Sequence, residues 1–257
     1  MSSIERIPKG RDVCLIDGDS LLYYEMEKAT FEEAIYGLDQ RISHMLSQCN
    51  TNYYAGFLTR GRCYRYTVDP EYKARRKDSK KRRPVIFPAL QEHLMQRWGF
   101  TYMSEVEADD LVAYYSYNTE RKTIICSPDK DVLYQCVGMH YNYRTAEFIH
   151  TSPEEALKFL WKQVLMGDAT DGIPGLKGVG DKTSENWLKD RTKDFEGFAL
   201  KKYVEQMGMT EGIFRFTQTF RLVYLLKTDE DVRRELGDLK IPELVILEDK
   251  PLDAEEW

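Results

Sequence analysis

Apolar positions in the first 150 residues alternate between short solid runs and runs spaced three or four apart. Val13-Cys14-Leu15-Ile16, Tyr53 to Leu58 and Thr123-Ile124-Ile125-Cys126 are stretches of buried-strand length. Between the first two, Ile35, Leu38, Ile42, Met45 and Leu46 fall on one face of a helix over about 31–48. This rhythm predicts an α/β fold, a mostly parallel central sheet flanked by helices. Beyond residue 151 the pattern turns helical. Ser152-Pro153-Glu154-Glu155 has a capping serine, a proline in the first turn and acids that complement the helix dipole. Helices are expected over 153–166, 181–189, 194–207 and 211–227, and the glycine-rich 167-GDATDGIPGLKGVGDKT-183 separates the first two. The expected organisation is a core over 1–150, a helical region over 151–230 and an acidic tail over 231–257, surface-lying or frayed.

Composition narrows the class. The 257 residues contain no apolar run approaching the roughly 18–20 needed to span a membrane. The start MSSIERIPKGRD has no apolar core of a secretory signal, so a cytoplasmic protein without a membrane partner is expected. Five cysteines, at 14, 49, 63, 126 and 136, form no C-x-x-C pair and read as reduced residues rather than a disulfide or zinc framework. Net charge is −6, yet Arg60 to Arg83 holds eleven Lys or Arg against three acids. An acidic body with one basic segment suits a protein that binds cations in one place and a polyanion beside it.

The acids cluster where chemistry would want them. Asp17 follows the strand VCLI, and Asp129 and Asp131 follow TIIC. Ligands of open α/β sheets bind beyond the carboxyl ends of strands. Glu107, Asp109 and Asp110 open a helix, and Asp168 and Asp171 stand in the glycine-rich break. With no His or Cys among them, an oxygen-only set selects hard cations, Mg²⁺ or Mn²⁺ rather than zinc. Each cluster also has a plain reading. Glu107 to Asp110 is a favourable helix start, Asp129 a helix cap, Asp17 to Asp19 a turn, and Asp168 and Asp171 are turn formers. What the plain readings leave unexplained is why acids recur at strand ends.

The basic segment 69-DPEYKARRKDSKKRRP-84 is a solvated stretch, or a phosphate grip in which Lys73 and Arg76 hold a phosphate and Tyr72 offers a stacking face. Arg75, Lys80, Lys81, Arg82 and Arg83 would then track a single strand. In 172-GIPGLKGVG-180, Gly175, Gly178 and Gly180 allow backbone amides to approach phosphates, as in a helix–hairpin–helix turn, with Lys177 and Lys182 adding charge.

In order, LIDGDSLLY, YRYTVDPEYKARR, VEADDLVA, SPDKDVLYQ and LMGDATDGIPGLKGVGDKTSENWL resemble the 5′ nuclease (flap endonuclease / 5′→3′ exonuclease) family over most of residues 12–190. The likeness is to stand-alone phage enzymes and the 5′-nuclease domain of bacterial DNA polymerase I. It implies a helical arch over about 70–98 and a helix–three-turn–helix DNA-binding element around 160–190. It implies that Asp17, Glu107, Asp109, Asp110, Asp129, Asp131, Asp168 and Asp171 hold two Mg²⁺ ions, with Mn²⁺ as substitute, and that the glycine loop binds K⁺. Lys73 and Arg76, with Asp17, Asp110 and Asp129, would be the catalytic set. A monomer is expected, acting on DNA 5′ ends, flaps or single-strand/duplex junctions beside a separate replicative polymerase. One departure stands out: Leu58 occupies the place of a usual metal-binding Asp at the end of the second strand, with Asp69 as a candidate substitute. The rival readings are a PIN-like ribonuclease and a DNA-binding factor with an impaired metal site.

Overall fold

The structure is a computed structural model that describes residues 12–25, 30–74 and 86–249. The chain begins with β1 (Val13–Asp17), α1 (Gly18–Glu25), α2 (Phe31–Gln48), β2 (Tyr53–Leu58), α3 (Arg65–Val68), α4 (Phe87–Trp98) and β3 (Thr101–Tyr102). It continues through α5 (Ala108–Tyr117), β4 (Thr123–Cys126), α6 (Lys130–Gln135), β5 (Gly138–Asn142), β6 (Glu147–Thr151), α7 (Pro153–Met166), β7 (Gly167–Asp168) and β8 (Ile173–Pro174). The last elements are α8 (Asp181–Leu188), α9 (Phe195–Met207), α10 (Met209–Val223), α11 (Asp229–Leu236) and β9 (Leu247–Glu248).

The main sheet has the order β3-β2-β1-β4-β5-β6, with β9 paired to β2. β1 pairs in parallel with β2 and with β4, while β6 and β9 are antiparallel additions. The chain leaves β1 towards β2 on one side and returns to β4 on the other. The carboxyl ends of β1 and β4 therefore flank the crevice where an α/β sheet receives ligands.

Both sheet faces are covered, which explains the continuous apolar runs. Cys14 and Ile16 face a core shared with α2 and α4, containing Leu38, Ile42, Met45, Leu90 and Trp98. Val13 and Leu15 face Leu111, Val112, Val132 and Leu226. α7 to α10 build a third core around Trp161, Tyr203 and Phe216. α2 starts with a capping box between Thr30 and Glu33, and α7 with one between Ser152 and Glu155.

The expected helix over 211–227 stops at Val223, because Leu225 and Leu226 turn into the second core. The expected surface or frayed tail is corrected over 231–249, and its remainder, 250–257, lies outside the described residues. Thr228 and Asp231 form a capping box for α11, Val232 and Ile246 are buried, and β9 adds to the sheet edge. The charged surface of this segment conceals the few apolar anchors that hold it. No described helix is long and apolar enough to cross a membrane.

Gly56 in the centre of β2 marks a close approach. A Cβ there would lie 2.3–2.4 Å from the ring of Phe100. Gly56→Ala is expected to destabilise the protein by about 1–3 kcal/mol through overpacking, read as a lower midpoint of urea unfolding. The cost should be less than additive with Phe100→Leu, since the two changes share one contact.

Candidate metal and nucleic-acid site

Asp17 ends β1 and α1 begins at the next residue, so its carboxylate sits at a helix N-terminus. Its Oδ1 accepts from the amides of Asp19 (3.1 Å) and Ser20 (3.2 Å), and its Oδ2 from the Ser127 hydroxyl (2.8 Å). Ser127, fully buried just past β4, also accepts from the Asp129 amide (3.0 Å). One serine thus sets the acids after β4 against the acid at the end of β1. Asp129 caps α6 by accepting from the Asp131 amide (2.8 Å), so the cap reading and the site reading hold for the same carboxylate. Asp131 accepts from Gln163 of α7 (2.7 Å).

The opposite wall comes from α5 and the turn after α7. Glu107, at the N-cap position of α5, accepts from Tyr72 (2.9 Å) and Arg65 (3.0 Å) and pairs with Lys73. Lys73 Nζ also lies 3.7 Å from Asp171, and the Lys73 amide donates to the Asp171 carbonyl (2.9 Å). Lys73 adopts φ 55°, a left-handed conformation that few non-glycine residues take, and this hydrogen bond helps hold it. Asp168 accepts from Lys130 (2.9 Å) and from the Thr170 amide (2.8 Å). The first residues of the basic segment are therefore tied to the glycine-rich turn through the acids between them.

Several sequence expectations change. Asp110 is fully buried, and both its oxygens are taken by Arg65 at 2.6 and 2.9 Å, with the Leu226 amide at 3.0 Å. Its carboxylate is spent on this buried pairing rather than presented to the cleft. Tyr72 is corrected too. Its ring is buried against Tyr66 and its hydroxyl is spent on Glu107, so it has no free face for a base. Leu58 is core, packed under Gly18, and Asp69 caps the turn after α3 through the Glu71 amide (2.9 Å), away from the acids. Gly175 serves internal packing: a Cβ there would lie 2.1 Å from the backbone of Met166. Gly178, Lys177 and Lys182 are exposed, Gly180 caps α8, and open space surrounds both glycines. Arg75, Arg76, Lys80, Lys81, Arg82 and Arg83, with the rest of 75–85, lie outside the described residues, and the later part of the expected arch is α4, which packs Leu90, Leu94 and Trp98 into the first core.

The structure also brings in residues the sequence did not single out for the site. Asp19 Oδ1 accepts from the Thr59 amide (3.0 Å), which carries this carboxylate to the end of β2. Its signal was the D-G-D spacing, which was read as a turn. Lys130 and Ser127 lie within S-P-D-K-D, and Arg65 was hidden among its basic neighbours.

Charge separates the acids into two groups. Burial pushes Asp17, Asp19, Asp109 and Asp131 up, Asp19 and Asp131 to about 7, and neighbouring carboxylates add to each shift. Burial also pushes on Glu107 and Asp168, but cations win there. Lys73 and Arg65 hold Glu107 down at about 2, and Lys130 lowers Asp168. Among the described residues, no Lys or Arg makes an ion pair with Asp17, Asp19, Asp109, Asp129 or Asp131. Mutually repelling oxygen donors without a paired cation fit a hard divalent ion.

A family model described as the 5′-3′ exonuclease N-terminal resolvase-like domain matches residues 12–159. The chain is 26% identical over 208 residues to DNA polymerase I of Mycobacterium tuberculosis, covering 68% of this chain and 22% of the polymerase. It is 36% identical over 131 residues to the exodeoxyribonuclease of Enterobacteria phage T3, covering 48% of this chain and 42% of that enzyme. The chain thus spans less than half the length of either relative. Its fold resembles that of the bacteriophage T5 flap endonuclease, solved as a pseudo-enzyme-product complex with DNA and metal ions, at a TM-score of 0.58 and 17% identity over 88% of this chain and 90% of that one.

Two measurements test the assignments. Asp110→Asn is expected to cost about 3–5 kcal/mol of stability, because it breaks a buried pair and leaves Arg65 uncompensated. Calorimetric divalent-ion affinity of the folded variant should stay near wild type, whereas Asp129→Asn should do the reverse. The second test is pH. Asp19 and Asp131 hold protons in the folded protein up to about 7, but near 3.8 by ordinary carboxylate behaviour. Their stabilisation is full below the unfolded value and lost as pH rises towards 7. Glu107 works oppositely and lower, its contribution being lost as pH falls from 4.5 towards 2. The melting temperature of metal-free protein should therefore fall between about pH 5 and 7.5, and saturating Mg²⁺ should remove that fall.

Proposed function

The chain belongs to the 5′-3′ exonuclease family, and we propose that it is a divalent-metal-dependent 5′ nuclease that hydrolyses DNA at 5′ ends or flaps, leaving a 5′-phosphate and a 3′-hydroxyl. The observation that carries this reading is the convergence of Asp17, Asp129, Asp131, Asp168 and Asp171 with the Lys73–Glu107 pair on one edge of the sheet. Asp17, Asp19, Asp109, Asp129 and Asp131 would hold two Mg²⁺ ions, or Mn²⁺, with Asp168 and Asp171 on the helical side. When bound, such ions polarise the phosphodiester and lower the pKa of attacking water.

The rest falls to the chain's own residues. Ser127 and Gln163 orient Asp17 and Asp131, so that the acids are in place before a substrate arrives. Lys73 Nζ rests on Glu107 and beside Asp171, and would be drawn to a phosphate oxygen as negative charge enters the cleft. Its backbone tie to Asp171 keeps that movement within reach of the cleft. Arg76 and the basic residues after it would extend the grip along a single strand. The exposed turn 177–180 and the N-terminus of α8, with Lys182, would take the duplex backbone, with K⁺ on carbonyls of that turn as part of the same contact. A polymerase working on the same DNA is the partner that fits this reaction.

Purified protein with 5′-flap DNA and Mg²⁺ should cleave near the junction. Lys73→Ala should lower turnover by about 10²–10³-fold, with little change in duplex affinity. Asp129→Ala together with Asp131→Ala should abolish cleavage in Mg²⁺ and Mn²⁺. A wild-type protein that binds the flap yet cuts it in neither ion would overturn the proposal.

A further inference from the structure

Three of the five buried cysteines meet at one point behind the carboxylate edge. Cys14 lies in β1 and Cys126 ends β4, while Cys49 is the C-cap of α2. The register pairs Cys14 with Ile124 and Ile16 with Cys126, so the two strand cysteines stand on the same sheet face, two positions apart across neighbouring strands. α2 packs over that face, and its last turn delivers Cys49 from above. All three sulfurs lie within 4.8 Å of one another, and Cys49 Sγ is 3.9 Å from Cys126 Sγ. Cys63 and Cys136 are buried too, but take no part in the group.

These distances match a metal's demand. With metal–sulfur bonds of ~2.3 Å, three thiolates around one ion in a plane have sulfurs about 4 Å apart. We propose that Cys14, Cys49 and Cys126 form a three-thiolate site for a soft divalent cation of the zinc and cadmium class, separate from the hard-cation site of the carboxylates. Softness sorts the two: sulfur ligands favour such ions, and oxygen ligands favour Mg²⁺ or Mn²⁺. A divalent ion suits the interior better than a monovalent one, since three thiolates then leave one net negative charge rather than two. The C-terminal end of α2 adds carbonyl partial charge on the side where a cation is favoured.

The protons balance simply. The Cys49 thiol is lowered to about 4, chiefly by hydrogen bonding with the other two thiols, while Cys14 and Cys126 are raised well above the ordinary value. Binding of the ion deprotonates the thiols, and their protons leave to solvent. Cys49, the one slightly exposed member at 7%, marks the entry side. A bound ion would staple α2 to β1 and β4. Cys126 precedes Ser127, which holds Asp17, so the staple would lie directly behind the acid wall.

The test uses the reduced full chain in excess Mg²⁺, titrated with Cd²⁺ and followed by sulfur-to-cadmium charge-transfer absorption and by thiol protection against a disulfide reagent. One equivalent should bind, raise the melting temperature and protect three thiols beyond the protection that burial gives them in the metal-free protein. Cys49→Ser should weaken binding by more than about 100-fold, beyond the loss usual for a partner that only orients a ligand. Cys63→Ser and Cys136→Ser should leave it unchanged. Circular dichroism of Cys49→Ser keeps loss of fold distinct from loss of a ligand. If that variant does not fold, the thiol-protection count on wild-type protein decides. No charge-transfer band in wild type, a band undiminished in folded Cys49→Ser, or fewer than three protected thiols would overturn the proposal and leave the trio as core packing.

Discussion

The architecture turns on one buried guanidinium. Arg65 places its five donors on five acceptors: the Leu222 and Tyr224 carbonyls, one oxygen of Glu107 and both oxygens of Asp110. Nothing in it is left unpaired, which is the condition under which a buried charge is tolerable. Those five bonds join the start of α5, which carries the acid wall, to the end of α10, which belongs to the helical region. A lysine has three donors and no fork, and could not make the same joint. The relation between the carboxylate edge and the helices after it therefore depends on Arg65 having both acids of α5 to hold.

That joint divides the E-A-D-D stretch between structure and chemistry. Asp110 is spent on packing, Glu107 is shared between Arg65 and Lys73, and Asp109 is left to the cleft with its pKa driven up by burial and by Asp17. Pairing decides this: Glu107 and Asp110, three apart on one helix, both meet Arg65, whereas Asp109 makes no ion pair with a described Lys or Arg. Lys73 and Lys130 then act as internal counterions on the helical side of the cleft, on Glu107 and Asp168. The sheet side, with Asp17, Asp19 and Asp129, has no such partner among the described residues. The electrostatic demand for cations is greatest there, at the β1–β4 crevice.

Much of this was legible from the chain. Solid apolar runs located β1, β2 and β4 because both sheet faces are buried, and Ser152 announced α7 because a capping box leaves a local signature. Strand ends carrying Asp17 and Asp129 pointed to one edge because topology puts carboxyl ends together. Local pattern could not show where a side chain points once tertiary contacts compete for it. Tyr72 and Asp110 carry the right chemistry, but packing against Tyr66 and pairing with Arg65 absorb them. The 229–249 segment was obscured for a similar reason: α11 is highly charged, and its attachment rests on isolated residues such as Val232, Ile246 and Leu247.

The end of β2 shows why counting acids by chain position is a poor guide to a charged site. Leu58 is buried in the core, its side chain packed beneath Gly18. The next residue, Thr59, stands at the edge without a carboxylate, yet its amide holds that of Asp19, while its hydroxyl accepts from the amide of Ala108. A cation responds to where negative charge lies, not to which strand supplied it. Asp19, on the neighbouring helix, brings a carboxylate to the strand that lacks its own. The same contact also ties α1, β2 and the start of α5 through one threonine. The end of β2 thus meets a carboxylate through a backbone amide, although the strand carries no acid of its own.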